Sequence, residues 1–191
     1  MRVWGLVRVG TATEAEVTRC CGALSEVVEG LSAVSLPTRD RATRTVEGDR
    51  PARTADSLST VLSEIPAVFD VVCFGDADEE TTAEESVFVD LAASLDSQTA
   101  GVARAAPVTD ALKQVAGERL VAGLDRSSLT MPASPQLARR RALEEAVAAP
   151  DSTGDPPSDP VSILASAGFA VRLRSAVGAG VGDAAATVAR S

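Results

Sequence analysis

Short runs of β-branched and other apolar residues alternate along this chain with segments whose apolar residues recur every three to four positions. That alternation restricts the fold more than any other feature. Residues 1–9 (MRVWGLVRV) read as an opening strand bounded by Gly10. Thr11 or Thr13 can cap a following helix, with Glu14 and Glu16 in its first turn and Val17, Cys20, Cys21, Leu24, Val27, Val28 and Leu31 at helical spacing. Residues 33–36 form a short apolar run stopped by Pro37, and Asp56 can cap a helix that buries Leu58, Val61, Leu62 and Ile65. A third strand is predicted over 68–74 (VFDVVCF), ended by Gly75. It is followed by a helix over 84–95 and a strand over 101–106.

Residues 107–135 read as an irregular arm with two extended pieces, and 135–149 as a helix with Pro135 at its start, where the missing N–H costs nothing. Residues 149–160 hold four of the ten prolines and three aspartates, the composition of a flexible surface loop. A short helix over 161–168, a strand over 169–173 and a small helix over 183–190 close the chain. Strands alternating with helices predict an α/β fold, a mainly parallel sheet with helices on both faces. The 191 residues fit a single domain with an arm at 107–132 and the loop at 149–160.

Composition removes whole function classes. With no histidine, imidazole-based triads and imidazole-ligated metals are impossible. A net charge of -9, with no basic run longer than Arg139–Arg141, argues against a nucleic-acid partner, because such binding rests on neutralising phosphates. No apolar stretch reaches the roughly 20 residues that span a bilayer, and the N-terminus lacks a signal core, so no membrane partner and a cytoplasmic location are expected. Cys20, Cys21 and Cys73 lack metal or disulfide-framework spacing and read as buried thiols.

The third predicted strand runs into Gly75-Asp76-Ala77-Asp78-Glu79-Glu80. Carboxylates two residues apart at the carboxyl end of a strand can hold Mg²⁺ together with a nucleotide's phosphates. The other reading, and the commoner origin of such a cluster, is a solvated acidic turn. The loop after the first strand, Val9-Gly10-Thr11-Ala12-Thr13, has one glycine and no base except the nearby Arg8, so neither a GxGxxG nor a P-loop pattern is present. Gly178, Gly180 and Gly182 read as a flexible turn.

Three motifs in register carry a resemblance: Ala106-Pro107-Val108-Thr109-Asp110-Ala111-Leu112-Lys113, then Leu124-Asp125-Arg126-Ser127-Ser128-Leu129, then Ser134-Pro135-Gln136. From about Asp70 to Ala149 the chain resembles the 2-C-methyl-D-erythritol 4-phosphate cytidylyltransferases of non-mevalonate isoprenoid biosynthesis. Weaker similarity extends to residues 47–58, to Ser158-Asp159 and to 171–190. The resemblance implies a Rossmann-like sheet and a homodimer joined by the protruding arm at 107–132. It further implies nucleotidyl transfer from CTP to a phosphorylated small alcohol, such as 2-C-methyl-D-erythritol 4-phosphate.

Carried over residue by residue, the resemblance implies that Asp76 binds both metal and nucleotide, with Asp78 beside it on Mg²⁺ and Ser57 in the nucleotide site. The resemblance further implies that Arg126 grips the acceptor phosphate and that Asp110 and Lys113, the single lysine of the chain, complete the catalytic set. Departures accompany these matches. Gly75 replaces the family's His, Glu79 its Arg, and Ala111 a Thr. The Gly-rich loop with its cations has no counterpart, and residues 175–183 contain no base. These changes are expected to abolish the family reaction and to leave at best a changed or residual nucleotide activity. The alternative is a non-catalytic dimeric binding or scaffold protein, a pseudoenzyme, on the same fold.

Overall fold

β-Branched and aromatic residues at the start of the chain form β1 (Val3–Arg8), and Thr13 then opens α1 (Glu14–Ser25). The Thr13 hydroxyl accepts from the Glu16 N–H, and the Glu16 carboxylate accepts from the Thr13 N–H at 2.7 Å, a reciprocal capping box. In order there follow β2 (Gly30–Ser35), β3 (Arg53–Thr54), α2 (Leu58–Glu64), β4 (Val71–Asp76), α3 (Glu85–Ser94) and β5 (Gly101–Pro107). After them come β6 (Lys113–Ala116), β7 (Arg119–Gly123), a 3-10 turn (Arg126–Ser128), β8 (Thr130–Arg139), α4 (Arg140–Ala148), α5 (Pro160–Ser166), β9 (Val171–Ser175) and β10 (Ala184–Ala186). This computed structural model describes residues 1–8, 13–35, 53–54, 58–77, 85–109, 113–116, 119–123, 125–149, 159–175 and 184–186.

The main sheet has the order β10-β9-β5-β8-β4-β1-β2-β3. β1, β2, β3 and β4 pair in parallel, as do β5 and β9, while β8 runs antiparallel between β4 and β5 and joins the two parallel parts. β10 closes one edge antiparallel to β9. This is the Rossmann-like, mainly parallel α/β sheet expected from the sequence.

Alternation along the strands splits the core into two layers. Leu6, Val72, Phe74, Ala103 and Ala138 meet Leu62 of α2, Leu143 of α4 and Leu164 of α5 on one face. Val7, Val71, Cys73, Val102 and Leu137 meet Cys20 and Leu24 of α1 and Leu91 of α3 on the other. β4 is buried on both faces, so its sequence is a continuous apolar run. Gly101 lies under α5, where a Cβ would come within 2.7 Å of Leu164 Cδ1, so the absence of a side chain sets that close approach.

Four local expectations need correction. Residues 135–139 are not helix: β8 continues to Arg139, with a cis Ser134–Pro135 bond, and α4 starts only at Arg140. Leu137 and Ala138 are fully buried on opposite faces of the sheet, and that two-sided burial outweighs the helix-start preference of Pro135. α1 ends at Ser25, because the Val27 and Val28 N–H groups both turn back to the Leu24 carbonyl, and Leu31 belongs to β2. Gly75 does not end its strand, since β4 runs through it to Asp76. Finally, Ala184–Ala186 is a strand and not the start of a helix, because pairing with β9 overrides alanine's helix propensity. The proline-rich segment 150–158 lies outside the described residues, as does most of the predicted closing helix.

Among the described residues, no helix is long and apolar enough to cross a membrane.

Candidate active site at the carboxyl edge of the sheet

β1, β2, β4, β5 and β9 all run in one direction, so their carboxyl ends share one edge of the sheet, and the amino end of β8 lies there too. Ligand chemistry in open α/β sheets concentrates at this edge. Asp76 is the last residue of β4 and is buried to 9% exposure. Its N–H donates to Ser134 Oγ at 2.9 Å, a bond between two buried groups that fixes where β4 ends. Two residues along β8, Gln136 Oε1 accepts from the Val161 N–H at 3.2 Å and satisfies an open donor at the start of α5. The Ser134-Pro135-Gln136 motif thus ties the Asp76 backbone to the helix on one face of the sheet. Its similarity to a known motif was visible in the sequence, but this bracing role was not.

The arm begins and ends at the same edge. Pro107 pairs with Thr130, and the Val108 N–H bonds to the Leu129 carbonyl at 3.4 Å. Arg126 opens the 3-10 turn at the base of the arm, is exposed, and donates from its guanidinium to the Thr109 carbonyl. The turn is braced by Asp125, whose carboxylate accepts from Ser127 Oγ at 2.7 Å and from the Ser127 N–H at 3.0 Å. The hydroxyl bond first, and the amide bond second, hold the Asp125 carboxyl below its ordinary range. A depressed folded-state value means that this brace is complete above the unfolded value of about 3.9 and is lost as pH falls through the lower folded value. We therefore expect the Ser127 amide resonance to stay fixed from neutral pH down to about 4 and to move only below it. Asp125→Asn is expected to abolish that titration.

Lys113 is the first residue of β6, its backbone paired with Gly123, and its side chain lies outside the described residues. Asp110, Ala111, Ser57, Asp78, Glu79 and Glu80 lie outside them as well, together with residues 9–12 and the Gly178–Gly182 stretch. The described geometry therefore joins Asp76 to Ser134 and Arg126 to Thr109. Arg104 of β5 was missed by the sequence reading. Its signal was a charge inside the otherwise small and apolar run Gly101–Pro107.

Cys20 and Cys73 are buried in the core as expected, whereas Cys21 is only partly buried, packed against the outside of the same layer. Burial, with smaller effects from neighbouring groups, pushes Cys20 and Cys73 up to about 12, so both are neutral thiols at any physiological pH.

Mg²⁺ takes one or two carboxylates and completes its octahedral shell with water and phosphate oxygens. The Asp76 carboxylate at a strand end fits one such position. Among the described residues no group of three or more acidic, Cys or His side chains gathers.

A mainly parallel sheet with helices on both faces, an acidic residue closing a central strand, and a hairpin arm leaving the same edge define a Rossmann-like α/β fold. A sequence model of the 2-C-methyl-D-erythritol 4-phosphate cytidylyltransferase family matches residues 32–178, most of the chain, and the chain belongs to that family. The fold is similar to that of 2-C-methyl-D-erythritol 4-phosphate cytidylyltransferase from Thermus thermophilus, with a TM-score of 0.61 and 16% identity over 93% of this chain and 90% of that one. It is also similar to 4-diphosphocytidyl-2C-methyl-D-erythritol synthase from Anaerococcus prevotii, with a TM-score of 0.61 and 10% identity over 91% and 86% of the two chains. For the Francisella tularensis 2-C-methyl-D-erythritol 4-phosphate cytidylyltransferase the values are 0.59 and 14%, over 100% and 95%. No curated protein matches the chain significantly in sequence.

Proposed function

We propose that this protein binds CTP with Mg²⁺ at the carboxyl edge of its sheet and transfers the cytidylyl group slowly to a phosphorylated small alcohol such as 2-C-methyl-D-erythritol 4-phosphate. The observation that carries this reading is Asp76, held at the end of β4 by the buried Ser134 hydroxyl in the motif positions where the family resemblance expects the metal and nucleotide ligand. Asp76 and Asp78 hold Mg²⁺ and Ser57 lies in the nucleotide site. Arg126 binds the acceptor phosphate, with Asp110 and Lys113 completing the set. The bound metal would supply charge neutralisation on the phosphates. The chain's own part is to position both substrates, with the cytoplasm, where nucleoside triphosphates are held, as its compartment.

Residues 9–13 and 175–183, where the family resemblance expects cations on the triphosphate, contain no Lys or Arg, and Glu79 stands where the resemblance expects another. Phosphoryl-type transfer depends on positioning and charge stabilisation, and loss of a single stabilising donor costs about 10²–10³ in rate. Transfer is therefore expected at ~10³-fold or more below the Thermus thermophilus enzyme assayed beside it. Pyrophosphate release with CTP and the acceptor tests this, and Arg126→Ala is expected to raise the KM for the acceptor. Equal kinetics in the wild type and Arg126→Ala would remove Arg126 from the site. No transfer and no CTP binding is the result expected of the second reading, a non-catalytic dimeric scaffold, which the same missing cations favour.

The arm is read as the contact to a second copy of the chain. β6 and β7 pair only with each other among the described residues, and a lone two-stranded hairpin is marginal in water. Val121 of β7 is 57% exposed and Met131 at the arm's base is 48% exposed, apolar surface that a partner subunit would cover. Sedimentation is expected to give a dimer, and Val121→Asp to shift it toward monomer. A monomeric mass that persists at high concentration would remove the dimer.

A further inference from the structure

Strand register sets four residues level across the sheet near its carboxyl edge. Phe74 of β4 faces Gln136, which faces Ala103 of β5, so Asp76 lies level with Ser134. Beyond the bulge after Ala103, Arg104 faces Ala133 on one side and Arg174 of β9 on the other. Ala103 belongs to the α2–α4–α5 face and Val102 to the α1–α3 face, so alternation turns Arg104 under α3. Arg174 shares that face, because its guanidinium bonds Asp90 of α3 at 3.2 and 3.3 Å. Arg172 does the same with Ser94 O and Asp96, both at 3.1 Å.

Arg104 differs from both neighbours. It is partly buried, and its Nε is fully buried with no hydrogen-bond partner. A guanidinium is always charged and carries five donors in a planar fork, so burying its Nε without an acceptor, beside a second arginine on the adjacent strand, is costly. The cost does not come from a shortage of carboxylates, since the chain has 27 acidic residues against 18 basic ones. We propose that Arg104 is a phosphoanion-binding residue whose fork takes oxygens of a di- or triphosphate bound at this edge, supplying a cation that the loop after β1 does not. The proposal rests on the nucleotide reading of the edge given above.

Inorganic pyrophosphate, titrated by calorimetry at fixed ionic strength, tests it in wild-type protein, Arg104→Leu and Arg104→Lys. The wild type is expected to bind. Arg104→Leu is expected to weaken binding by about tenfold or more, as loss of a charge-assisted bidentate contact does, and Arg104→Lys to fall between them. Without ligand, Arg104→Leu is expected to melt no lower than wild type, and pyrophosphate to raise the melting temperature of the wild type alone. Arg104→Gln repeats the comparison if the Leu variant does not fold.

Equal pyrophosphate affinity in wild type and Arg104→Leu overturns the proposal, and so does a wild type that binds none at millimolar concentration. A folded Arg104→Leu that melts well below wild type without ligand also overturns it, because the guanidinium would then already be paired with a carboxylate of the chain. Pyrophosphate binding through Arg104 with no CTP binding would keep this proposal and remove the nucleotide reading. CTP affinity unchanged in Arg104→Leu would do the reverse.

Discussion

Replacing Gly75 with histidine, the residue the family resemblance expects there, is expected to cost about 3 kcal/mol of folding stability, or roughly 6–12 °C in Tm. Gly75 lies in β4 with its open side against α1, and a Cβ built on it would come within 2.7 Å of Leu24 Cδ1 and 3.0 Å of Cys20 Sγ. Leu24 is only 1% exposed and Cys20 5%, so neither can swing into solvent to make room. The helix would have to lift from the sheet, separating the layer that also holds Val7, Val71 and Leu91. Gly22→Ala is the matched control. Nothing lies within 4 Å of a Cβ there, and in the body of α1 alanine is expected to add about 0.5–1 kcal/mol. Urea melts of the two variants read both signs. A Gly75→His protein as stable as wild type would mean that α1 does not lie against β4 as described.

Arg139→Met is expected to cost about 2–3 kcal/mol, more than most surface arginines, because the guanidinium serves three backbone carbonyls at once. Its Nε donates to Thr99 O at 3.1 Å, and one terminal nitrogen donates to Leu95 O at 3.1 Å and Asp96 O at 2.8 Å. These acceptors lie at the end of α3 and in the turn that follows, where open carbonyls and the negative helix end favour a cation. Methionine keeps the apolar stem and removes the donors, so the loss reports the hydrogen bonds and not the packing. Arg174→Met, which breaks a partly exposed ion pair to Asp90, is expected to cost less than about 1 kcal/mol. Equal losses in the two variants would refute the capping role of Arg139.

Much of this architecture could be read before any coordinates. The apolar run around Val71 to Phe74 is continuous because both faces of β4 are covered, and strand-length runs between amphipathic segments gave the layer order. Of Thr11 and Thr13, the two caps the sequence offered for α1, Thr13 is the one used, whereas Asp159, whose carboxylate accepts from the Ser162 N–H at 3.0 Å at the start of α5, was not read as a cap. What failed was local preference set against tertiary pairing. Pro135 looked like a helix start and lies inside β8, and Ala184–Ala186 looked helical and pairs with β9.

For the site, motif similarity singled out Asp76, Arg126 and the Ser134-Pro135-Gln136 motif, but not the bracing role of Ser134 and Gln136. Ser134 Oγ meets the Asp76 N–H across 58 positions of sequence, and Gln136 reaches Val161 across 25, distances at which no residue pattern reports a hydrogen bond. Arg104 was hidden for a related reason. A lone arginine in a strand carries no meaning until its neighbours are known to be paired and its buried Nε is not.

The proposed Mg²⁺–nucleotide site at the carboxyl edge of this sheet depends on Asp76. Calorimetric titration of CTP with Mg²⁺ into wild-type protein and Asp76→Ala tests it most directly, with circular dichroism to establish that the variant is folded. The expected result is saturable micromolar binding by the wild type that disappears in Asp76→Ala. A wild-type protein that gives no saturable heat, or an Asp76→Ala protein that binds as the wild type does, would contradict it.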